Sequence, residues 1–207
     1  MDNNPQYKKY KWLNLNELAL NMIPDNETLE QVLYFTAYCI WDKEKKEKHK
    51  KYVEALSKYG IHTVRGKFLR VTKRFNKCSM PITDMSPVIT DSSILPDEIE
   101  YQTYEEKKTD VNIATKIVDY AYKGKYDHAY IVSADGDIAP AIEMVKNEFS
   151  DKKFTAVLPI GYSNQYLCQV CEMNVIKIEE SHLKDAQLPD PVIISEDKSI
   201  SKPPSWN

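Results

Sequence analysis

Residues Glu105–Lys146 read EEKKTDVNIATKIVDYAYKGKYDHAYIVSADGDIAPAIEMVK, and this stretch decides the fold class. Val111, Ala114, Ile117, Val118 and Ala121 recur at helical spacing across Asp110–Tyr122, and Gly124 stops that helix. Asp127–Ser133 follows as a strand, and Ile138–Phe149 as a second amphipathic helix. Helix, strand and helix joined by short connections are the repeating unit of a parallel sheet covered on both faces.

The same alternation extends both ways. Downstream lie a strand at Phe154–Leu158, a helix at Asn164–Glu172 and a strand at Asn174–Ile178. Upstream, Leu15, Leu18, Ala19 and Met22 mark a short helix that Pro24 ends. Leu29–Tyr38 reads as a buried strand, and Lys43–Tyr59 as a helix with Tyr52, Val53, Leu56 and Tyr59 inward, stopped by Gly60. Ile61–Val71 reads as one further strand. Thr72–Tyr101, with Pro81, Pro87 and Pro96, holds no sustained period and reads as a long loop. The expected organisation is one α/β domain over residues 1–184 and an acidic, proline-containing C-terminal tail over 185–207.

Composition sets the outer bounds. With 207 residues, 42% hydrophobic and 29% charged, the chain can bury a core and is not a disordered polymer. The longest apolar stretch, Val32–Ile40, is interrupted by Thr36 and far too short to cross a bilayer. No secretory pattern opens the chain, and four cysteines do not make a disulfide scaffold. A cytoplasmic protein with no membrane partner is the expectation. Cys168 and Cys171 fall inside a helix with no second pair, so buried thiols, with Cys39 and Cys78, are expected rather than a zinc site.

The net charge of −3 conceals an uneven distribution. Lys43–Lys77 carries thirteen Lys/Arg against three Glu, a net of +10, which leaves −13 on the remainder. Asp84–Glu106 holds seven acids and no base. A basic segment inside a near-neutral chain can meet a polyanion, although it also reads as a solvated helix beside an acidic loop.

Ligand sites in parallel sheets lie beyond the carboxyl ends of the strands. There the chain reads Ser133-Ala134-Asp135-Gly136-Asp137, running directly into a helix. Two carboxylates so spaced can share a hard cation, but the same residues also read as an Asp-Gly turn with Asp137 as the N-cap of the following helix. Asp110 opens the preceding helix, as a cap or as a third acid on the same side of the sheet. Three clustered carboxylates repel one another unless a cation sits among them, an arrangement suited to metal-assisted phosphodiester hydrolysis.

Glu106–Val111 followed by Val132–Pro140 resembles the E-K-x-x-D-V and V-S-x-D-x-D-x-x-P elements of the NYN domain, also called LabA-like, of the PIN-like nuclease superfamily. KWLNL at Lys11–Leu15, YFTA at Tyr34–Ala37, KKYVEAL at Lys50–Leu56, SNQY at Ser163–Tyr166, QLPDPV and KPPSW agree in order, so the resemblance spans nearly the whole chain. It implies a Rossmann-like three-layer α/β domain with a mostly parallel sheet. It further implies a ribonuclease using Mg²⁺ or Mn²⁺ at Asp110, Asp135 and Asp137, supported by Ser133. The basic segment would then contact RNA, expected to be single-stranded, through Lys43, Lys46, Lys50, Arg65, Lys67, Arg70, Lys73 and Arg74. The D-x-D element is also used by aspartate-nucleophile phosphatases, but they carry it on the first strand with Thr or Val two residues after the second acid. Here that residue is Ala139, and the strand before the motif is a late one. No Gly-rich phosphate loop follows any strand.

One departure is specific. The family pattern begins with an apolar strand ending in Asp, of the form I-D-G-x-N, in the middle of the sheet. Here Met1-Asp2-Asn3-Asn4-Pro5-Gln6-Tyr7 precedes Lys11 and Trp12, and Asp2 has no strand before it. The expected sheet therefore lacks its first central strand and one metal-binding acid. A shortened form of a longer protein would explain this. So would a natural form that is catalytically inactive, or is completed by a partner or a second copy. The second functional expectation is accordingly a non-catalytic RNA-binding or protein-interaction module on the same fold.

Overall fold

Asn14 starts the first α-helix: its side-chain oxygen accepts from the N–H of Asn16 at 3.1 Å and of Glu17 at 3.5 Å. The structure, a computed structural model, describes residues 5–76 and 98–206. After a 3₁₀ turn at Pro5–Tyr10 comes α1 (Leu15–Leu20), and then β1 (Leu33–Thr36), the central part of the expected Leu29–Tyr38 strand. Asp42 caps α2 (Lys43–Ser57) by accepting from Lys45 N at 2.9 Å, and Tyr52, Ala55 and Leu56 form its buried face. Gly60, at φ +72°, takes the left-handed turn into β2 (His62–Arg65), which pairs in parallel with β1 from Leu33↔His62 to Thr36↔Arg65.

The expected strand Ile61–Val71 divides at Gly66. Beyond it, β3 (Lys67–Asn76) forms an antiparallel ladder with β4 (Glu98–Lys107), in register from Lys67↔Lys107 to Asn76↔Glu98. The expected long loop is therefore strand at both ends; residues 77–97, with Cys78, Pro81, Pro87 and Pro96, lie outside the described residues. Then α3 (Thr109–Tyr122) leads into β5 (His128–Val132), followed by a 3₁₀ turn at Gly136–Ile138 and α4 (Ala139–Glu148). The chain continues through β6 (Lys153–Leu158), α5 (Gln165–Val170), β7 (Val175–Lys177) and α6 (Glu180–Asp185). Strands β5, β6 and β7 form a parallel sheet in that order.

The layers follow from alternation along the strands. Ala129 and Ile131 of β5, with Phe154 and Ala156 of β6, face Ile117, Ile142, Val145 and Leu167 from α3, α4 and α5. Tyr130, Val157 and Ile176 face the other way, onto Tyr10, Leu13, Leu18 and Leu183. On that side Glu27 accepts from Tyr130 OH at 2.8 Å and lies 2.9 Å from His128 Nδ1. The bonds from His128 and Tyr130 hold the Glu27 carboxyl below its ordinary pKa. Helix α3 also packs on β1 and β2, so it spans both parallel sheets from one side. Tyr34 of β1 packs on the other side among Trp12, Tyr52 and Leu56. This is the expected three-layer α/β arrangement.

Its middle layer is split. Strands β1 and β2 form one sheet and β5–β7 another, with no ladder joining β1 to β5 among the described residues. Strand β5 is only half-buried along most of its length and ends with Val132 at 54% exposure, whereas neighbouring β6 is buried from Phe154 to Leu158. A strand covered on both faces stays that accessible when an edge is open. The break falls where the resemblance places the additional central strand.

The segment read as a tail carries structure. It contains β8 (Val192–Ser195) and β9 (Lys198–Ile200), an antiparallel hairpin whose Val192 and Ile200 are buried with Leu188 against Trp12. Leu13 bridges Gln187, and Leu188 N donates to Trp12 O at 2.9 Å, so this segment is tied to the N-terminal one. Cys39, Cys168 and Cys171 are free and buried; burial pushes the Cys171 thiol up to about 11. No helix among the described residues is long and apolar enough to cross a membrane.

Candidate functional site

Strand β5 delivers its carboxyl end to a turn that the side chains themselves hold. Ser133 Oγ accepts from Asp135 N at 3.0 Å, and Asp135 Oδ1 accepts from Asp137 N at 2.9 Å. Asp135 is thereby the cap of the 3₁₀ turn, while the carboxylates of both Asp135 and Asp137 are exposed. Asn164 clamps the turn from the next βα connection. Its Nδ2 donates to Ala134 O at 3.0 Å while its Oδ1 accepts from Leu167 N at 2.9 Å, capping α5. A Cβ on Gly136 would come within 3.2 Å of Asn164 Nδ2, so the glycine admits the clamp. The sequence reading gave Asn164 no role; an Asn three residues ahead of a buried Leu at a helix start was the available signal.

Asp110 comes from another element. Lys108, at φ +79°, turns the chain from β4 into α3, a left-handed conformation disfavoured for a side-chain-bearing residue. Thr109 Oγ1 donates to Glu106, and Asn112 Nδ2 donates to Arg65 O at 3.4 Å, fastening the helix start to the end of β2. Gly66 lies against this junction: a Cβ there would contact the Thr109 hydroxyl and sit 2.9 Å from Lys107 O. Gly66→Ala is expected to destabilise the protein by about 1–3 kcal/mol through overpacking against backbone, read as a lower denaturant midpoint. A midpoint matching the parent would show that the junction yields.

Asp110, Asp135 and Asp137 all lie on the carboxyl side of the parallel strands, and α3 packs on the Gly136–Ile138 turn. None of the three forms an ion pair with Lys or Arg among the described residues. Their donor type suits a hard divalent cation, which takes oxygen ligands and retains waters. Their number does not: among the described residues no three His, Cys, Asp or Glu gather closely enough to hold a metal. The turn keeps Asp135 and Asp137 together; Asp110 does not join them as one ligand group.

The basic residues divide among three elements. Lys43, Lys46 and Lys50 lie on α2, while Arg65 ends β2 and Lys67, Arg70, Lys73 and Arg74 lie along β3. Lys50 pairs with Glu47 at 2.8 Å, Lys73 with Glu105 at 2.7 Å, and Arg74 with Glu100 at 3.1 Å. Together Lys107 and Lys73 hold the Glu105 carboxyl down at about 2. Lys43, Lys46, Arg65, Lys67 and Arg70 make no ion pair among the described residues. Ladder charges thus neutralise part of the basic segment and leave the rest to solvent.

A 6-hydroxy-3-succinoylpyridine 3-monooxygenase from Pseudomonas putida is 34% identical over 113 residues, covering 53% of this chain and 35% of that protein. The match thus spans about a third of that relative's length. A crystal structure of a protein of unknown function from Vibrio parahaemolyticus superposes with a TM-score of 0.48 at 16% identity, covering 85% of this chain and 82% of that one. Residues 4–179 match the NYN domain, which takes in both the split parallel layer and the Asp135–Asp137 turn: the chain belongs to the NYN domain family.

Proposed function

We propose that this chain serves RNA phosphodiester hydrolysis with Mg²⁺ or Mn²⁺ at the acidic end of β5. The observation that carries the reading is the Asp135–Asp137 turn. Two exposed carboxylates leave a backbone turn braced by Ser133 and Asn164 at the strand end of an NYN domain, with no lysine or arginine drawn onto them. A divalent ion held by Asp135 and Asp137 would supply activation of water and neutralisation of the leaving oxygen. The protein's part is orientation. Asp135 commits Oδ1 to the turn and keeps Oδ2 outside that bond, Asp137 follows it at the mouth of α4, and Asp110 adds negative charge from the start of α3. The oxygenation named for the Pseudomonas relative is not carried over, since the match leaves about two thirds of that protein unaligned.

The reading calls for one more carboxylate, and the open edge between β1 and β5 is where a strand could bring it. A labelled single-stranded RNA incubated with the protein is expected to be cleaved with Mn²⁺, to survive in EDTA, and to be cleaved again when Mn²⁺ is restored. RNA left intact with Mn²⁺ and Mg²⁺ would overturn hydrolysis for this chain. The second reading, a non-catalytic RNA-binding module, is favoured by the absence of a three-ligand group among the described residues. Retained RNA binding without cleavage would select it.

A further inference from the structure

We propose that Trp41, Tyr104, Phe68 and Arg70 form a nucleobase-stacking platform that receives single-stranded RNA at the mouth of the acidic site. Trp41 stacks on Tyr104 with ring centroids 4.4 Å apart and planes 24° from parallel, and meets Phe68 edge-on at 4.9 Å. Even with both contacts, 46% of Trp41 is exposed, against 1% for Trp12 in the core. A stack formed to fill the interior would be buried as Trp12 is. This one lies on the surface, with Ile40 beside it also exposed.

The surrounding charges indicate what would cover it. Arg70 is directly opposite Tyr104 in the β3–β4 ladder, so both side chains leave the same hairpin face. Arg65 lies over the Tyr38 ring at 5.9 Å, where the chain leaves β1 towards Trp41, and Lys43 opens α2 two residues beyond. None of these three cations has an ion-pair partner among the described residues. Four acids are close in the ladder or the chain, and all have local partners: Glu44 pairs with Lys48, and Glu105 with Lys73 and Lys107. Glu106, opposite Phe68, accepts from Thr109, and Asp42 caps α2. Exposed aromatic faces flanked by unpaired arginines suit a chain of bases and phosphates; an apolar protein patch would gain nothing from them. The bases must be unpaired, because a duplex keeps their faces stacked inside the helix.

Position links the platform to the acids. Trp41 follows β1 at its carboxyl end, and Tyr104 precedes Asp110 by six residues, at most ~20 Å of extended chain. A nucleic-acid strand with one base on Trp41 can therefore reach Asp110, at the start of α3, within a few nucleotides. The proposal deepens the hydrolase reading, and it rests on RNA being the substrate.

The test is binding without turnover: anisotropy of a labelled twelve-nucleotide RNA in EDTA, with wild type, Trp41→Ala, Trp41→Phe and Arg70→Ala. Trp41→Ala is expected to weaken single-strand binding about 5- to 150-fold, the loss of one stacked base, with Trp41→Phe largely restoring it. Arg70→Ala is expected to lower the salt slope by about 0.7. Duplex RNA is expected to show no Trp41 effect. Equal single-strand affinity for wild type and Trp41→Ala, with matching thermal midpoints, would overturn the platform even if Mn²⁺-dependent cleavage is present. No binding by wild type would do the same. Self-association lost in Trp41→Ala while RNA affinity is unchanged would reassign the surface to a protein contact. Trp41-dependent binding in a protein that never cleaves would retain the platform and remove the hydrolase reading.

Discussion

Trp12→Ala is expected to cost about 3–5 kcal/mol, a large share of the stability of a domain this size. Trp12 is 1% exposed and meets Tyr52 at 5.9 Å and Trp206 at 6.2 Å between ring centroids. Its indole N–H donates to Pro189 O at 2.9 Å, so truncation leaves that carbonyl without its donor as well as opening a cavity. The loss also reaches the parallel layer. Tyr52 stands between Trp12 and Tyr34 of β1, and Tyr52 OH donates to Leu13 O at 2.8 Å. Urea unfolding followed by circular dichroism reads the effect as a shifted midpoint with an unchanged slope. A cost under about 1 kcal/mol would show that the cluster repacks around the vacancy. Trp206, half-buried at the rim of the same cluster, is expected to cost less when truncated.

What the sequence could disclose depended on whether the stabilising partner was local. Helix α3 was legible from Val111 to Ala121 because its apolar stripe and Gly124 stop lie within one stretch. The strands β5 and β6 were equally legible, being short apolar runs between helices. The β3–β4 ladder was not. KFLRVTKRFN and EIEYQTYEEK alternate charge and apolar residues with no consistently buried face, and Leu69 and Tyr101 remain exposed on one side. Cross-strand pairs such as Lys73–Glu105 and Arg74–Glu100 join residues 26 to 32 positions apart, a distance no local period reports. The C-terminal hairpin was hidden for the same reason: Val192 and Ile200 become core residues only against Trp12. At the site, the D-G-D spacing gave the Asp135–Asp137 turn but not its cap: Asp135, not Asp137, is the capping side chain, and α4 starts after Ile138 with no side-chain cap. The relation of Asp110 to that turn depends on packing between α3 and the 3₁₀ turn, which spacing does not encode.

The residue on which the hydrolase reading depends most can be altered without disturbing the turn. Asp135→Asn is expected to lower Mn²⁺-dependent RNA cleavage at least ~100-fold, about 2.7 kcal/mol of transition-state stabilisation, while leaving the unfolding midpoint within a degree or two. The separation follows from the two tasks of the side chain. As a cap it offers Oδ1 to Asp137 N, and an Asn carbonyl does the same with similar preference. As a candidate ligand it offers negative charge and a second oxygen, and Asn supplies a neutral amide N–H₂ in that place. The substitution therefore removes the charge and keeps the backbone. Asp137→Asn is the natural companion, because Asp137 enters the turn through its backbone N–H and not its carboxylate. Single-strand RNA affinity in EDTA should be unchanged in both variants, since the proposed stacking platform lies on α2's approach and the β3–β4 hairpin. Cleavage by Asp135→Asn at the parental rate, with the protein folded, would move the chemistry away from the end of β5.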